Sequence, residues 1–199
     1  MAENREADAA ALLERSPAPE SAALHREIAL RVATRALDAH DISAATAWLD
    51  RGLAVSPTDP ELNFFRGNRH LDTSNPIAAI ECFSRAISAD PQRREFALAL
   101  ASALLANGTP DRIPAVLAQY HDSAQAQLVL AQAFELTGKL EMARAACERA
   151  GRLQPGQPQS WDRLAQLCER TGDSLGALVA RTRAAAIRTT APRHQDTSG

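Results

Sequence analysis

The side chains of this chain that could attack a substrate, carry a proton or hold a metal are few: Cys82, Cys147 and Cys168, with His25, His40, His70, His121 and His194. A thiolate nucleophile needs a neighbouring base or cation to lower its pKa, and a metal needs ligands at recurrent helical or CxxC spacing. The sequence holds no CxxC pair, no HExxH, no paired-histidine spacing and no glycine-rich phosphate loop after a strand. Cys147 and Cys168 fall in apolar registers of their segments and read as small buried hydrophobes. His70-Leu71-Asp72 and His121-Asp122 stand at segment ends, where polar residues are ordinary surface. Three cysteines leave one unmatched in any disulfide scheme, which suits a reducing compartment. The expectation is therefore no catalytic residue, no metal, no cofactor and no enzyme.

Charge narrows the partners. The formal net charge is −2, with no run of five like charges, so nothing favours nucleic acid or an acidic membrane surface. The N-terminus, Met1 to Asp8, carries acids where a signal peptide needs a basic start, and no stretch is long and apolar enough for a membrane span. A cytoplasmic protein is expected. Alanine supplies 42 residues and aromatics only 4%, a helix-forming composition with close, alanine-mediated packing. Lys139 is the sole lysine, which together with the alanine excess hints at a GC-rich bacterial genome.

What would position any functional group is a repeat. Ala33, Gly67 and Ala101 are spaced by 34 residues, Ala131 follows after 30 and Ala165 after 34. Ala45, Ala79, Ile113, Ala143 and Ala177 keep the same intervals, as do Gly52, Ala86, Tyr120, Ala150 and Ala184. Such a period describes antiparallel helix pairs whose close crossing demands a small residue on each helix. Bulky partners follow in step: Val32, Leu100, Leu130 and Leu164 before the first small position, and Leu49, Phe83, Leu117 and Cys147 after the second. Asn107-Gly108, Thr137-Gly138 and Thr171-Gly172 each supply a glycine for a left-handed helix cap, and Pro57, Pro91 and Pro155 punctuate the ends of second helices.

These residues resemble the tetratricopeptide repeat family. Phe65-Arg66-Gly67 with Ala79, Phe83, Ala86 and Pro91 makes one copy, and Leu130, Ala131, Phe134, Gly138, Ala143, Ala150 and Pro155 make the cleanest. Trp161, Leu164, Ala177 and Ala184 recover the opening tryptophan of another. The resemblance implies an all-α, right-handed superhelical solenoid of five antiparallel helix pairs, with repeats at 26–59, 60–93, 94–123, 124–157 and 158–191. Residues 1–25 are expected to form an N-terminal segment in which 5–15 make either a short cap or a disordered stretch ahead of a proline-containing linker, and 192–199 a flexible tail.

The array departs from its pattern in repeat three, which is four residues short after Tyr120. Pro110 and Pro114 flank the start of its second helix, which is predicted to be short and capped by Asp111. At the far end the helix carrying Leu178, Ala185 and Ile187 is expected to present an open face, which would invite self-association.

The resemblance also implies a binding surface, the inner face of the first helices. Its apolar row runs Leu30, Phe64, Leu98, Leu128 and Asp162, and the row one turn on runs Thr34, Asn68, Ser102, Gln132 and Gln166. Amides and hydroxyls at regular spacing suit the backbone of a peptide or helix, and the apolar row suits its side chains. The same apolar row would also serve as packing between successive first helices. The carboxylate clamp of Lys, Asn and Arg known in this family is not matched, because the corresponding places hold Leu30, Thr34, Phe65, Glu95 and Ala99. Glu27, Glu61 and Glu95 mark one margin, where they also favour the helix dipole. The functional expectation is a scaffold, adaptor or chaperone-like module that holds a protein or peptide partner.

Overall fold

The computed structural model describes residues 20–190. Within them ten α-helices and no strand are found: α1 (Glu20–Asp38), α2 (Ile42–Val55), α3 (Pro60–Asp72), α4 (Pro76–Ala89), α5 (Arg94–Ala106), α6 (Ile113–Leu117), α7 (Ala124–Leu136), α8 (Leu140–Leu153), α9 (Gln159–Arg170) and α10 (Ser174–Thr190). The predicted cap at residues 5–15 and the tail at 192–199 lie outside the described residues. Helix α1 begins at Glu20, ahead of the predicted repeat start at residue 26. The chain divides into two compact units that part between Asn107 and Gly108, inside the predicted third repeat.

In the first unit α1 packs on α2 and α3 on α4, with α5 against α4. The small residues set these crossings. Ala33, Ala101, Ala45, Ala79 and Ala86 are all buried. A Cβ added to Gly52 would stand 2.9 Å from both Ala29 Cβ and Leu62 Cδ1, so α1, α2 and α3 converge on a bare backbone. The larger residues of the same registers fill the space between: Leu49 and Phe83 are fully buried, as is Leu62.

In the second unit α7 pairs with α8 and α9 with α10, and α9 also packs on α8. Ala150 is buried, and Ala131, Ala165, Ala143, Ala177 and Ala184 pack with Cys147, Leu164, Leu167, Cys168 and Trp161 in one buried cluster. Ile187, expected on an open face, instead packs half-buried against that cluster.

The bends inside pairs follow one rule. Gly108, Gly138 and Gly172 adopt φ of 71°, 75° and 79°, and the positions in register with them in the first unit, His40 and Ser74, adopt 59° and 56°. The chain then closes by the paired hydrogen bonds of a left-handed helix stop, such as Ser74 N to Leu71 O at 2.9 Å with Asn75 N to His70 O at 2.8 Å. After three of these bends the next helix starts on a side-chain cap, Asp41 accepting from Ala44 N, Asn75 from Ala78 N and Asp173 from Gly176 N, whereas α8 starts after Lys139 without one. Pro57, Pro91 and Pro155 each follow closely on the last residue of α2, α4 and α8.

The second helix of repeat three is short, as the two prolines require. Only Ile113–Leu117 is α-helical, with single 3₁₀ turns at Pro110–Arg112 and Ala118–Tyr120. Asp111 is not its cap. Pro110 opens the 3₁₀ turn, moving the start to Thr109 and leaving Asp111 inside it without a capping role. Helix α6 and the turn before it rest on α7.

Candidate functional site

In the first unit the predicted apolar row is largely structural. Leu98 is buried, Leu30 and Phe64 are half-buried, and Leu30 packs against the cluster of Ala29, Ala33, Leu49 and Leu62. Phe64 meets three other rings, with centroids 5.8 Å from Phe65, 5.9 Å from Phe83 and 5.2 Å from Phe96. It therefore ties α3 to α4 and α5 while staying half-buried. The polar row is less available than the sequence implies. Thr34 Oγ1 donates to Leu30 O at 2.8 Å and Ser102 Oγ to Leu98 O at 3.0 Å, so both hydroxyls serve their own helix. Asn68 is half-buried on the same face.

In the second unit Leu128 and Gln132 are half-buried on α7 and Gln166 is exposed on α9. Asp162 ends the apolar row as a charge, and Arg188 of α10 holds it. Arginines similarly absorb the acids at the margins. Arg26 reaches Asp59 at 2.6 Å and Glu61 at 2.5 Å, and Arg93 reaches Glu61 at 3.0 Å. Glu27 pairs with Arg31 within α1. Glu135 takes Arg163 at 2.6 Å and Arg170 at 2.5 Å. Of the acidic margin suggested by the sequence, Glu61 bridges to Arg26 and Arg93 while Glu27 pairs within its own helix, and Glu61 and Glu95 stand in the first turns of α3 and α5.

No described residues bring three or more His, Cys, Asp or Glu side chains into a metal-holding group, and no described helix is long and apolar enough to cross a membrane. The three thiols are buried, and burial raises all of them, Cys147 up to about 12. A thiol held protonated is a poor nucleophile. The His70 pKa is lowered, first by burial and then by the Arg66 guanidinium.

Sequence reasoning missed two features. Asn63 and Gln127, polar letters in one register of the repeat, are almost fully buried. Asn63 Nδ2 donates to Pro57 O at 2.9 Å and Asp59 O at 2.8 Å, and Gln127 Nε2 to His121 O at 3.1 Å, so each amide fastens the loop before its own helix. Their equal offset in the repeat was the available signal. The second is a cavity of about 420 Å³ on the second unit, beside Leu117, Gln127, Leu130, Phe134 and Met142. Its wall joins Pro114 and Leu117 of α6 to side chains of α7 and α8, a grouping that lies across three helices.

Residues 66–112 and 124–167 match models of the tetratricopeptide repeat. No curated protein matches the chain. Among solved structures, MamA of Desulfovibrio magneticus RS-1 is similar at 18% identity and TM-score 0.74, over 84% of this chain and 98% of that one. YrrB, a TPR protein with an unusual peptide-binding site, gives 15% identity and 0.67 over 82% and 87%. A thermophilic TPR protein of Thermus thermophilus, TTC0263, gives 20% and 0.59 over 83% and 93%. At these identities the likeness concerns the fold.

Proposed function

We propose that this chain, a tetratricopeptide repeat protein, holds a protein partner and performs no chemistry of its own, each unit by itself offering the inner rows of its own first helices to an extended peptide or a helix. The observation that carries this reading is the division of labour within those rows. Thr34 and Ser102 spend their hydroxyls on their own helices, so recognition falls to the amides of Asn68, Gln132 and Gln166, which can donate and accept at once. The half-buried edges of Phe64 and Leu128 lie in the neighbouring row. A peptide-binding site in YrrB, which has a similar fold, supports the same class of ligand. Affinity capture from the native organism, comparing the parent chain with an Asn68→Ala, Gln132→Ala, Gln166→Ala variant, tests it. Partners held by the parent and lost by the variant are expected; the same set retained by both sinks the inner-face reading. Phe64 is left untouched because its ring contacts belong to the core.

A second reading is self-association through α10, on which Leu175, Leu178 and Val179 are 73%, 61% and 46% exposed. Light scattering across a concentration series distinguishes it: a mass that stays monomeric, or that rises equally in a Leu175→Asp, Leu178→Asp variant, removes it.

A further inference from the structure

The first helix pair lacks a cover that the later first helices have. In register with Ile28 of α1 stand Leu62, Phe96, Ala126 and Ser160, each at most 2% exposed, whereas Ile28 is half-buried. Trp48 of α2 departs in the same direction. Cys82, Ala146 and Ala180, at its register in α4, α8 and α10, are buried, and Trp48 is half-buried. In the later repeats the cover comes from the preceding second helix. A Cβ on Gly52 of α2 would stand 2.9 Å from Leu62 Cδ1 of α3, and one on Gly151 of α8 would stand 2.7 Å from Trp161 Cε2 of α9. No described helix precedes α1, so Ile28, Val32 one turn further on, and Trp48 form an apolar face that a preceding second helix would otherwise close.

Two occupants are at hand: residues 5–15 of the same chain, which lie outside the described residues, and α10 of a second copy continuing the stack. The linkers favour the first. Four residues join α2 to α3, Ser56-Pro57-Thr58-Asp59, and four join α4 to α5, Asp90-Pro91-Gln92-Arg93, each with proline second. The four residues ahead of α1 are Ser16-Pro17-Ala18-Pro19, again with proline second. Residues 5–15 therefore stand in the sequence where a preceding second helix would end, and they bring Ala9, Leu12 and Leu13 with charged Arg5, Glu6, Asp8, Glu14 and Arg15 around them. Helix α10 fits worse. Leu49, Phe83 and Cys147 share one register of α2, α4 and α8 and are fully buried, but α10 has Arg181 there, exposed and bridged to Glu169. Continuing the stack would take that ion pair out of water, a desolvation cost that the pair's own attraction seldom offsets.

We infer that residues 5–15 of the same chain cover the face of Ile28, Val32 and Trp48 in the first unit, in place of a preceding second helix. Counted back from the linker, Leu12 falls where α2 and α4 have Gly52 and Ala86. The occupant therefore presents side chains rather than bare backbone to α1, and the cover is looser than the crossings that follow it. This end of the array is closed by the chain itself and is not offered to a partner.

Trp48 reports on the cover, because the chain has only one other tryptophan, Trp161. The full chain carrying 5-fluorotryptophan gives two ¹⁹F signals, assigned by the one lost in Trp161→Phe. In a Leu12→Asp, Leu13→Asp variant the Trp48 signal is expected to move and its shift between H₂O and D₂O to grow, at every protein concentration, while the Trp161 signal stays where it was. The milder Leu12→Ala, Leu13→Ala variant should move Trp48 in the same direction by less. A Trp48 signal unmoved by both variants overturns the inference. So does a Trp48 solvent shift that shrinks as the parent protein is concentrated and is restored by Leu178→Asp on α10, the result expected of a second copy on this face.

Discussion

Gly67 and Phe83 occupy one another's space: a Cβ on Gly67 would stand 2.5 Å from Phe83 Cε1, and the ring is fully buried. Glycine inside a helix ordinarily costs about 1 kcal/mol relative to alanine, so Gly67→Ala on propensity alone would stabilise α3. The contact reverses the sign, because the ring is held by its own core and cannot recede. Gly67→Ala is expected to lose about 1 to 3 kcal/mol in urea unfolding. In a Phe83→Leu background much of that loss should vanish, and additive losses in the double variant would show that the two residues do not share the space.

The left-handed bends give a prediction of opposite signs at equivalent positions. His40 and Ser74 hold positive φ with a side chain, at about 1 kcal/mol each, where the other bends have glycine. Ser74→Gly should raise stability by about 1 kcal/mol, and Gly138→Ala and Gly172→Ala should lower it by a similar amount. Denaturant midpoints of the three variants check the pattern; a destabilised Ser74→Gly would contradict it.

The thiols should be silent. Cys82, Cys147 and Cys168 are buried, and burial holds each protonated at neutral pH. Native protein is expected to react with an aromatic disulfide reagent only as fast as it opens, and to give all three thiols in denaturant. Rapid modification of any one in the native state would place it at the surface.

His70 supplies a pH signature. Its pKa in the folded chain is lowered from 6.5, so the unfolded chain takes up the proton first on acidification. The contribution of neutral His70 is complete above 6.5 and is lost as the pH falls from there through the depressed folded-state value. Thermal melts should therefore show a part of the acid destabilisation below 6.5 that Gln at this position removes; equal pH slopes for the parent and His70→Gln would refute it.

The helical array could be read from the letters because close crossings leave little choice of residue. Alanine or glycine at Ala33, Gly67 and Ala101, and again at Ala131 and Ala165, records the packing directly, and Gly138 and Gly172 record the bends. Other features escaped because the same letter serves two ends. Thr34 and Ser102 look like ligand contacts but bond their own helix, and Asn63 and Gln127 look like surface but are buried. The register of Phe64 is that of an inner face; its neighbours Phe65, Phe83 and Phe96, scattered along the sequence, hold it half-buried there. His40 and Ser74 gave no glycine to mark their bends, so only the register finds them.

The amides of Asn63 and Gln127 make each of two connecting loops a passenger of the helix that follows it. Pulled from its ends, such a chain would part at the seam before the loop, and α3 would carry Pro57 and Asp59 away with it as a preformed handle. The unit of peeling is then a helix together with its leading loop, which sets where a threading protease or unfoldase meets its first resistance.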